Sequence, residues 1–229
     1  MLGVGAHPDD LDFIAGGTLA QYAKQGASVH YLVVTDGCKG TESTQLDCDK
    51  LKTIRHAEQE AAARAVGAQS AEFLDYVDGE LEVTIPLKKD IVRVIRRLKP
   101  DVVITFDPSM MYSAAFSFIN HPDHRAAAQA ALDAVYPLAR DHLTFPELAD
   151  EGLEPHKVAT VLLMNFDKQD FFVNVTDTMD QKIAAIKAHT SQVANPEAVE
   201  ATMREHASKL GANVGATYAE GYVRIDTEG

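Results

Sequence analysis

Apolar positions along the chain switch repeatedly between two periods. Short, nearly unbroken apolar runs fall at Leu2–Ala6, Val29–Thr35, Ala71–Asp75, Asp101–Phe106, Val158–Met164 and Phe171–Val175. Such runs read as strands, and near-continuous apolarity marks a strand buried on both faces of a parallel sheet. Helical periods lie between them: Ala15–Lys24 opened by a Gly-Gly pair, Leu51–Val66 closed by Gly67, and Leu87–Leu98 stopped before Pro100. Others fall at about His124–Tyr136, Thr178–His189 and Pro196–Leu210. Strands alternating with helices of this length predict right-handed βαβ units. The expected class is α/β, a doubly wound, mostly parallel sheet with helices on both faces. Residues 137–156, with Pro137, Pro146, Gly152 and Pro155, read as an irregular connection. No composition break or solenoid repeat divides residues 1–229, so a single domain is expected. The first strand begins almost at residue 1, which is compatible with a native start slightly upstream.

Composition narrows the partners. The chain is 46% hydrophobic and 24% charged, which excludes disordered, collagen-like and coiled-coil classes. Its formal net charge of -13 repels phosphate backbones and anionic headgroups, so nucleic acid and membrane surfaces are poor partners. No apolar run approaches a membrane span, and residues 1–30 lack a basic stretch followed by an apolar one. Cys38 and Cys48 are too few for a disulfide scaffold and read as bystander thiols, with a cytoplasmic location expected. The basic run Lys88–Lys99 reads as a solvated helix face. Gly3-x-Gly5 opens like a dinucleotide fingerprint, but Pro8 stands where the third Gly belongs. Five histidines (His30, His56, His142, His156, His206) have no partner pattern, and His189 is expected to pack a helix.

The remaining histidines carry the chemistry. His-Pro-Asp occurs at His7-Pro8-Asp9 and again at His121-Pro122-Asp123, where chance predicts roughly 0.03 copies at this composition. Asp10 extends the first copy and His124 the second. One cluster follows the first strand and the other follows the fourth, a loop later. In a 3-2-1-4-5 sheet those strands are neighbours where the order reverses, and ligands bind beyond their carboxyl ends. Each proline forces the histidine before it into an extended conformation. His7, Asp10 and His124 then form a two-histidine, one-carboxylate set suited to a catalytic divalent cation, zinc or a neighbour such as Fe2+. Such an ion polarises a carbonyl and acidifies water, and Asp9 stands by as general base. His121 is left to stabilise an oxyanion or protonate a leaving amine, with Asp123 orienting its ring.

AHPDD (Ala6–Asp10) and HPDH (His121–His124) at this spacing resemble the N-acetylglucosaminyl deacetylase family, PIG-L or LmbE-like. The resemblance runs from Ala6 to about Tyr222 and includes TDG (Thr35–Gly37), RxxExxAA (Arg55–Ala62), DGEL (Asp78–Leu81), PDVVITFDP (Pro100–Pro108), HxSQ (His189–Gln192) and YAEGY (Tyr218–Tyr222). It implies a Rossmann-like fold, one divalent metal (usually zinc) and hydrolysis of an N-acetyl group from a GlcNAc-type conjugate or related amide. Carried over, His7, Asp10 and His124 are ligands, Asp9 the base and His121 the electrostatic or acid partner. Arg55, Asp78 and Asp36 are the positions it points to for sugar contact. The chain departs from the family pattern at Leu11-Asp12-Phe13-Ile14 and at Ile119, where many members carry an oxyanion-donating Tyr. Tyr112 is then a candidate donor and substrate contact. The stretch between Asp107 and His121 is longer and more apolar than usual, and Met110–Ile119 reads equally as a lid, a substrate wall or a contact in a homo-oligomer.

Two rival readings share these residues. The triad also suits a non-haem Fe(II) oxygenase, but the Asp9-Asp10 pair supplies a carboxylate base that oxygen activation does not need. A non-catalytic metal- or nucleotide-binding module on the same fold would not need Asp9 at all.

Overall fold

The computed structural model describes residues 1–41 and 43–227. The chain begins with β1 (Leu2–Gly5), α1 (Asp10–Lys24), β2 (His30–Thr35), α2 (Cys48–Val66), β3 (Ser70–Tyr76), α3 (Ile85–Leu98) and β4 (Val102–Phe106). A short hairpin, β5 (Tyr112–Ser113) and β6 (Phe118–Ile119), precedes α4 (Pro122–Asp133). After α5 (Glu147–Asp150) come β7 (Thr160–Met164), β8 (Phe171–Asn174), α6 (Met179–Ala188), α7 (Pro196–Gly211) and β9 (Ala219–Asp226). The main sheet has the order β3-β2-β1-β4-β7-β9-β8. Its first five strands are parallel, and β9 and β8 close it antiparallel. The α/β, doubly wound, mostly parallel expectation holds, and the order reverses between β1 and β4.

Both sheet faces are covered. On one, Leu2, Val4, Leu32, Val34 and Val103 meet Ile91 and Ile95 of α3 and a row of small residues, Ala126, Ala127, Ala130 and Ala131, on α4. Alanine at those spacings lets α4 sit close against the strands it follows. On the other, Tyr31, Ile104 and Leu162 meet Leu11 and Leu19 of α1, Ala62 of α2 and Ala185 of α6.

Three elements differ from expectation, and long-range polar partners accompany each. α1 starts at Asp10, five residues earlier than the Gly-Gly pair suggests. Its glycines lie inside the helix because a Cβ on Gly17 would meet Val175 at 2.9 Å, and one on Gly16 would meet Lys182 at 3.2 Å. There Glu220 accepts the amides of Gly17 and Thr18 (3.0 and 2.7 Å), while Lys182 donates to Phe13 O and to Glu220. β9, read only as part of a motif, is a strand that carries Glu220 to this position. Residues 137–156 contain α5, and Arg96 organises what precedes it by donating to the carbonyls of Leu138, Ala139, Asp141 and Thr144. Arg96 is 1% exposed, so the basic run is not a solvated face throughout.

Candidate metal centre

β1 and β4 deliver the two clusters to the switch point. β1 ends at Gly5, and Asp9 O accepts from Asp12 N and Phe13 N to start α1. Pro122 opens α4 at a position where its missing N–H costs nothing. His121 caps that helix in an extended conformation, φ -59 and ψ 140, so its ring leaves the helix axis.

Ligand-capable atoms of His7, Asp10 and His124 lie within 4.8 Å of one another. Asp10 Oδ2 accepts the backbone N–H groups of Ala6 and His7 at 2.9 and 2.8 Å, which turns Oδ1 toward His124 Nε2 at 3.0 Å. His124 Nδ1 lies 3.0 Å from Asn120 Oδ1, and its ring stacks on Phe106 at 4.2 Å between centroids. His7 Nε2 lies 3.2 Å from both Asp78 Oδ1 and Asp123 Oδ2, leaving Nδ1 facing Asp10 at 3.6 Å. An acceptor on one ring nitrogen fixes the proton there and presents the other nitrogen's lone pair. Both imidazoles are so arranged, and the donor set fits a divalent cation.

Charge points the same way. Burial alone would lower the His7 pKa, yet the carboxylates of Asp10, Asp123 and Asp78 push it up to about 12. That proton stands among three carboxylates where a cation would offset them. Asp10 is held well below the ordinary carboxylate range, since His124 and His7 outweigh its burial. Asp78 falls to about 2, its burial overcome by His7 and the Lys39 amide. Asp9 moves the other way, to about 6, through burial and then the neighbouring Asp10 charge, with Arg55 opposing. Burial and the nearby His7 charge lower His121.

A second cluster, His7, Asp78, His121 and Asp123, shares His7. Its carboxylates are already engaged, Asp78 Oδ2 by Lys39 N at 2.9 Å and Asp123 Oδ2 by Gly79 N at 2.6 Å.

The other sequence-derived positions are rearranged. Asp123 does not orient His121: its carboxylate holds His7 Nε2 and the amides of Gly79 and Leu81. His121 Nδ1 instead accepts the Asp123 backbone N–H at 3.2 Å, and the carboxylate stands 3.9 Å away. Helix-cap geometry decides this, because the N-cap side chain turns back to the first-turn amides. Arg55, 3% exposed, lies beneath the site with Nη1 on Gly37 O, Nη2 on Pro8 O and Asp9 Oδ2 at 3.3 Å. Asp78 is buried against His7. Asp36 Oδ1 accepts the amides of Cys38 and Asp78, and Tyr112 is 66% exposed on β5.

Cys38 and Cys48 are not bystander thiols; they form a disulfide that ties the loop after β2 to the first turn of α2. His189 is fully buried with Nε2 2.8 Å from Asp12 Oδ2, a polar role in place of simple helix packing. Sequence reasoning also passed over Gln59, Asn120 and Glu58. Glu58 accepts from Thr190 Oγ1, Ser191 N and Ser191 Oγ, anchoring the HxSQ segment on α2. The spacing of Arg55, Glu58 and Gln59 on one helix face was the available signal.

A doubly wound sheet with a cation-binding His/Asp cluster at its switch point is the framework of a metal-dependent hydrolase. Residues 2–135 match the family described as PIG-L: GlcNAc-PI de-N-acetylase. Over 225 residues the chain is 33% identical to diacetylchitobiose deacetylase of Thermococcus kodakarensis, covering 96% of this chain and 81% of that protein. N,N'-diacetylchitobiose deacetylase from Pyrococcus horikoshii, solved with its inhibitor MPG, matches with a TM-score of 0.89 at 31% identity, over 98% of this chain and 83% of that one. The 4-carboxy-2-hydroxymuconate hydratase GalB of Pseudomonas putida KT2440 matches with a TM-score of 0.83 at 24% identity, over 100% and 96% of the two chains. That last likeness shows the fold alone. The chain belongs to the PIG-L family of de-N-acetylases, hydrolases of amide C–N bonds. No helix among the described residues is long and apolar enough to cross a membrane.

Proposed function

We propose that this protein removes the acetyl group from the amine of a GlcNAc-type sugar in a short chitooligosaccharide, using one zinc ion that His7, Asp10 and His124 would hold. The observation that carries the reading is the convergence of ligand-capable atoms of His7, Asp10 and His124 at the β1/β4 switch point, with the neighbouring Asp9 carboxylate feeling the Asp10 and His7 charges. When bound, zinc polarises the amide carbonyl and acidifies a water molecule. The chain's own residues supply the proton transfers. Asp9, at about 6, is a carboxylate at neutral pH and still basic enough to take the proton of the attacking water. Arg55 holds it from below. In its acid form Asp9 then passes the proton to the departing amine. His121 accepts the Asp123 amide at Nδ1, so its neutral ring carries a proton at Nε2 and donates to the developing oxyanion.

Arg55 and Asp78 act on the site from beneath, so contact with the sugar falls to more exposed groups. Tyr112 and Ile119 pair directly across β5 and β6 and share one face of the hairpin. Ser113 and Phe118 turn the other way, toward Asp167 and Phe166. Ile119 is 83% exposed and stands two residues before His121. That outward face offers an apolar wall to a second sugar ring, and the Asp36 carboxylate, whose Oδ1 accepts the Cys38 and Asp78 amides, keeps Oδ2 as a further hydrogen-bond acceptor. Diacetylchitobiose, the substrate named for the Thermococcus relative, has the matching form. Amine release from N-acetylglucosamine, N,N'-diacetylchitobiose and a non-sugar acetamide, measured on zinc-loaded protein, tests the reading. Turnover of the disaccharide well above the non-sugar amide is expected. No release from any N-acetyl sugar would refute it.

A further inference from the structure

Asp9 is held by a helix that contributes nothing to the cluster. Its backbone stands at φ 109 and ψ -34, a region that non-glycine residues occupy only when their surroundings hold them there, at a cost of about 1–3 kcal/mol. Two side chains of α2 provide the hold. Arg55 and Gln59 are one turn apart and face the same way. Arg55 meets the Asp9 carboxylate and the carbonyl of Pro8. Gln59, fully buried, accepts the Asp9 N–H at Oε1 at 2.9 Å.

The Gln59 amide cannot turn over. Its Nε2 donates to Asp12 Oδ2 at 2.9 Å, so a flipped amide would set its oxygen against that carboxylate and its NH2 against the Asp9 N–H. Asp12 is itself locked. The same Oδ2 lies 2.8 Å from His189 Nε2, and Oδ1 accepts the Tyr31 hydroxyl at 2.9 Å. Asp12 and His189 are both 0% exposed, so the connection is shielded from water. The run from His189 through Asp12 and Gln59 to Asp9 joins the end of α6 to the peptide that carries the carboxylate.

We infer that Gln59 is a positioning residue for Asp9, fixing the backbone from which the base is aimed, with Asp12 and His189 keeping the Gln59 amide in its working orientation. The inference rests on Asp9 being the base, as proposed above. The hydrogen bonds of Gln59 go to the Asp9 amide and to Asp12, and not to His7, Asp10 or His124, so its loss falls on turnover and spares binding.

Gln59→Leu keeps the volume and removes both hydrogen bonds. Zinc-loaded variants are assayed on N,N'-diacetylchitobiose with zinc content measured on the same samples. Gln59→Leu should lower kcat on the order of 10²-fold, the penalty for a displaced reacting group, with KM within about twofold and zinc stoichiometry unchanged. Thr178→Val removes a buried hydrogen bond to Gly17 O that lies outside this run, and should lower Tm while leaving kcat near wild type. Gln59→Met reads the same quantity should the leucine variant fail to fold. A kcat within about threefold of wild type overturns the inference. So does a loss that follows lost zinc, or an equal loss in Thr178→Val. Asp9→Asn, run in parallel, separates the two claims: if it keeps its turnover, the base assignment fails whatever Gln59→Leu does.

Discussion

Replacing Asp123 by Asn separates two roles that one carboxylate could have beside a cation site. The structure gives Asp123 to His7, whose Nε2 has two carboxylate partners, Asp78 Oδ1 and Asp123 Oδ2, each at 3.2 Å. Asparagine fits the position, because its oxygen can stand where Oδ2 accepts from Gly79 N and faces His7 Nε2; what it removes is the carboxylate charge on the imidazole and the long 3.4 Å contact to Leu81 N. Mutating the partner that orients a ligating imidazole and raises its basicity typically costs 10–100-fold in metal affinity. Asp78 remains on the same nitrogen, so the lower end applies, about tenfold or about 1.4 kcal/mol. Asp78→Asn combined with Asp123→Asn removes both charges and should reach about 100-fold. The assay is zinc affinity by competition with a chromophoric chelator, paired with kcat at saturating zinc. Asp123→Asn should raise the zinc Kd about tenfold and hold kcat at saturation within about threefold. An unchanged Kd with kcat down a hundredfold would refute the reasoning and place Asp123 behind His121, as the sequence alone suggests.

Other consequences concern stability. Burial on its own would raise the Glu220 pKa, but Lys182 and the Thr18 contacts hold it below the ordinary 4.5. The pair's contribution is therefore complete above about pH 4.5 and is lost as pH falls through the lower folded value. Lys182→Met should cost about 3–5 kcal/mol in urea unfolding at pH 7, with the deficit narrowing toward pH 3; a deficit that does not vary with pH contradicts the ion pair. Replacing both Cys38 and Cys48 by Ser frees a loop spanning a sequence separation of 10 and should cost roughly 2.5–3 kcal/mol. An unchanged Tm under reducing and oxidising conditions would contradict that bridge. Arg96→Leu strands four carbonyls, that of Ala139 buried, and should unprotect residues 138–144 in hydrogen exchange, with a stability loss of about 2 kcal/mol.

The His/Asp cluster was legible because its residues sit in two short motifs, one directly after β1 and the other a loop beyond β4, strands whose apolar runs announce them. β1, β2, β4 and β7 were legible for the reason that buried parallel strands always are. β9 was not, because Glu220, Arg224 and Asp226 interrupt its pattern, and their partners Lys182 and Thr160 lie far away in the chain. The same distance hid Arg96, whose guanidinium is buried among the carbonyls of a segment more than forty residues on. It also hid Gln59 and Asp12, two polar side chains whose complete burial only the packed helices reveal. Asp123 was placed in the right site with the wrong partner, since a helix cap and a hydrogen-bonded carboxylate look alike in sequence. The Cys38–Cys48 bridge depends on how the loop folds back on α2, which spacing alone does not report.

The central claim is that His7, Asp10 and His124 hold one divalent cation on which amide hydrolysis depends. Titrating metal-stripped protein with zinc while recording amine release from N,N'-diacetylchitobiose tests it directly. Activity should be absent without metal, rise linearly and level off at one equivalent per chain, and His124→Ala should abolish both high-affinity binding and turnover. Undiminished hydrolysis by the metal-free protein, or by a His124→Ala variant that binds no zinc, would contradict it.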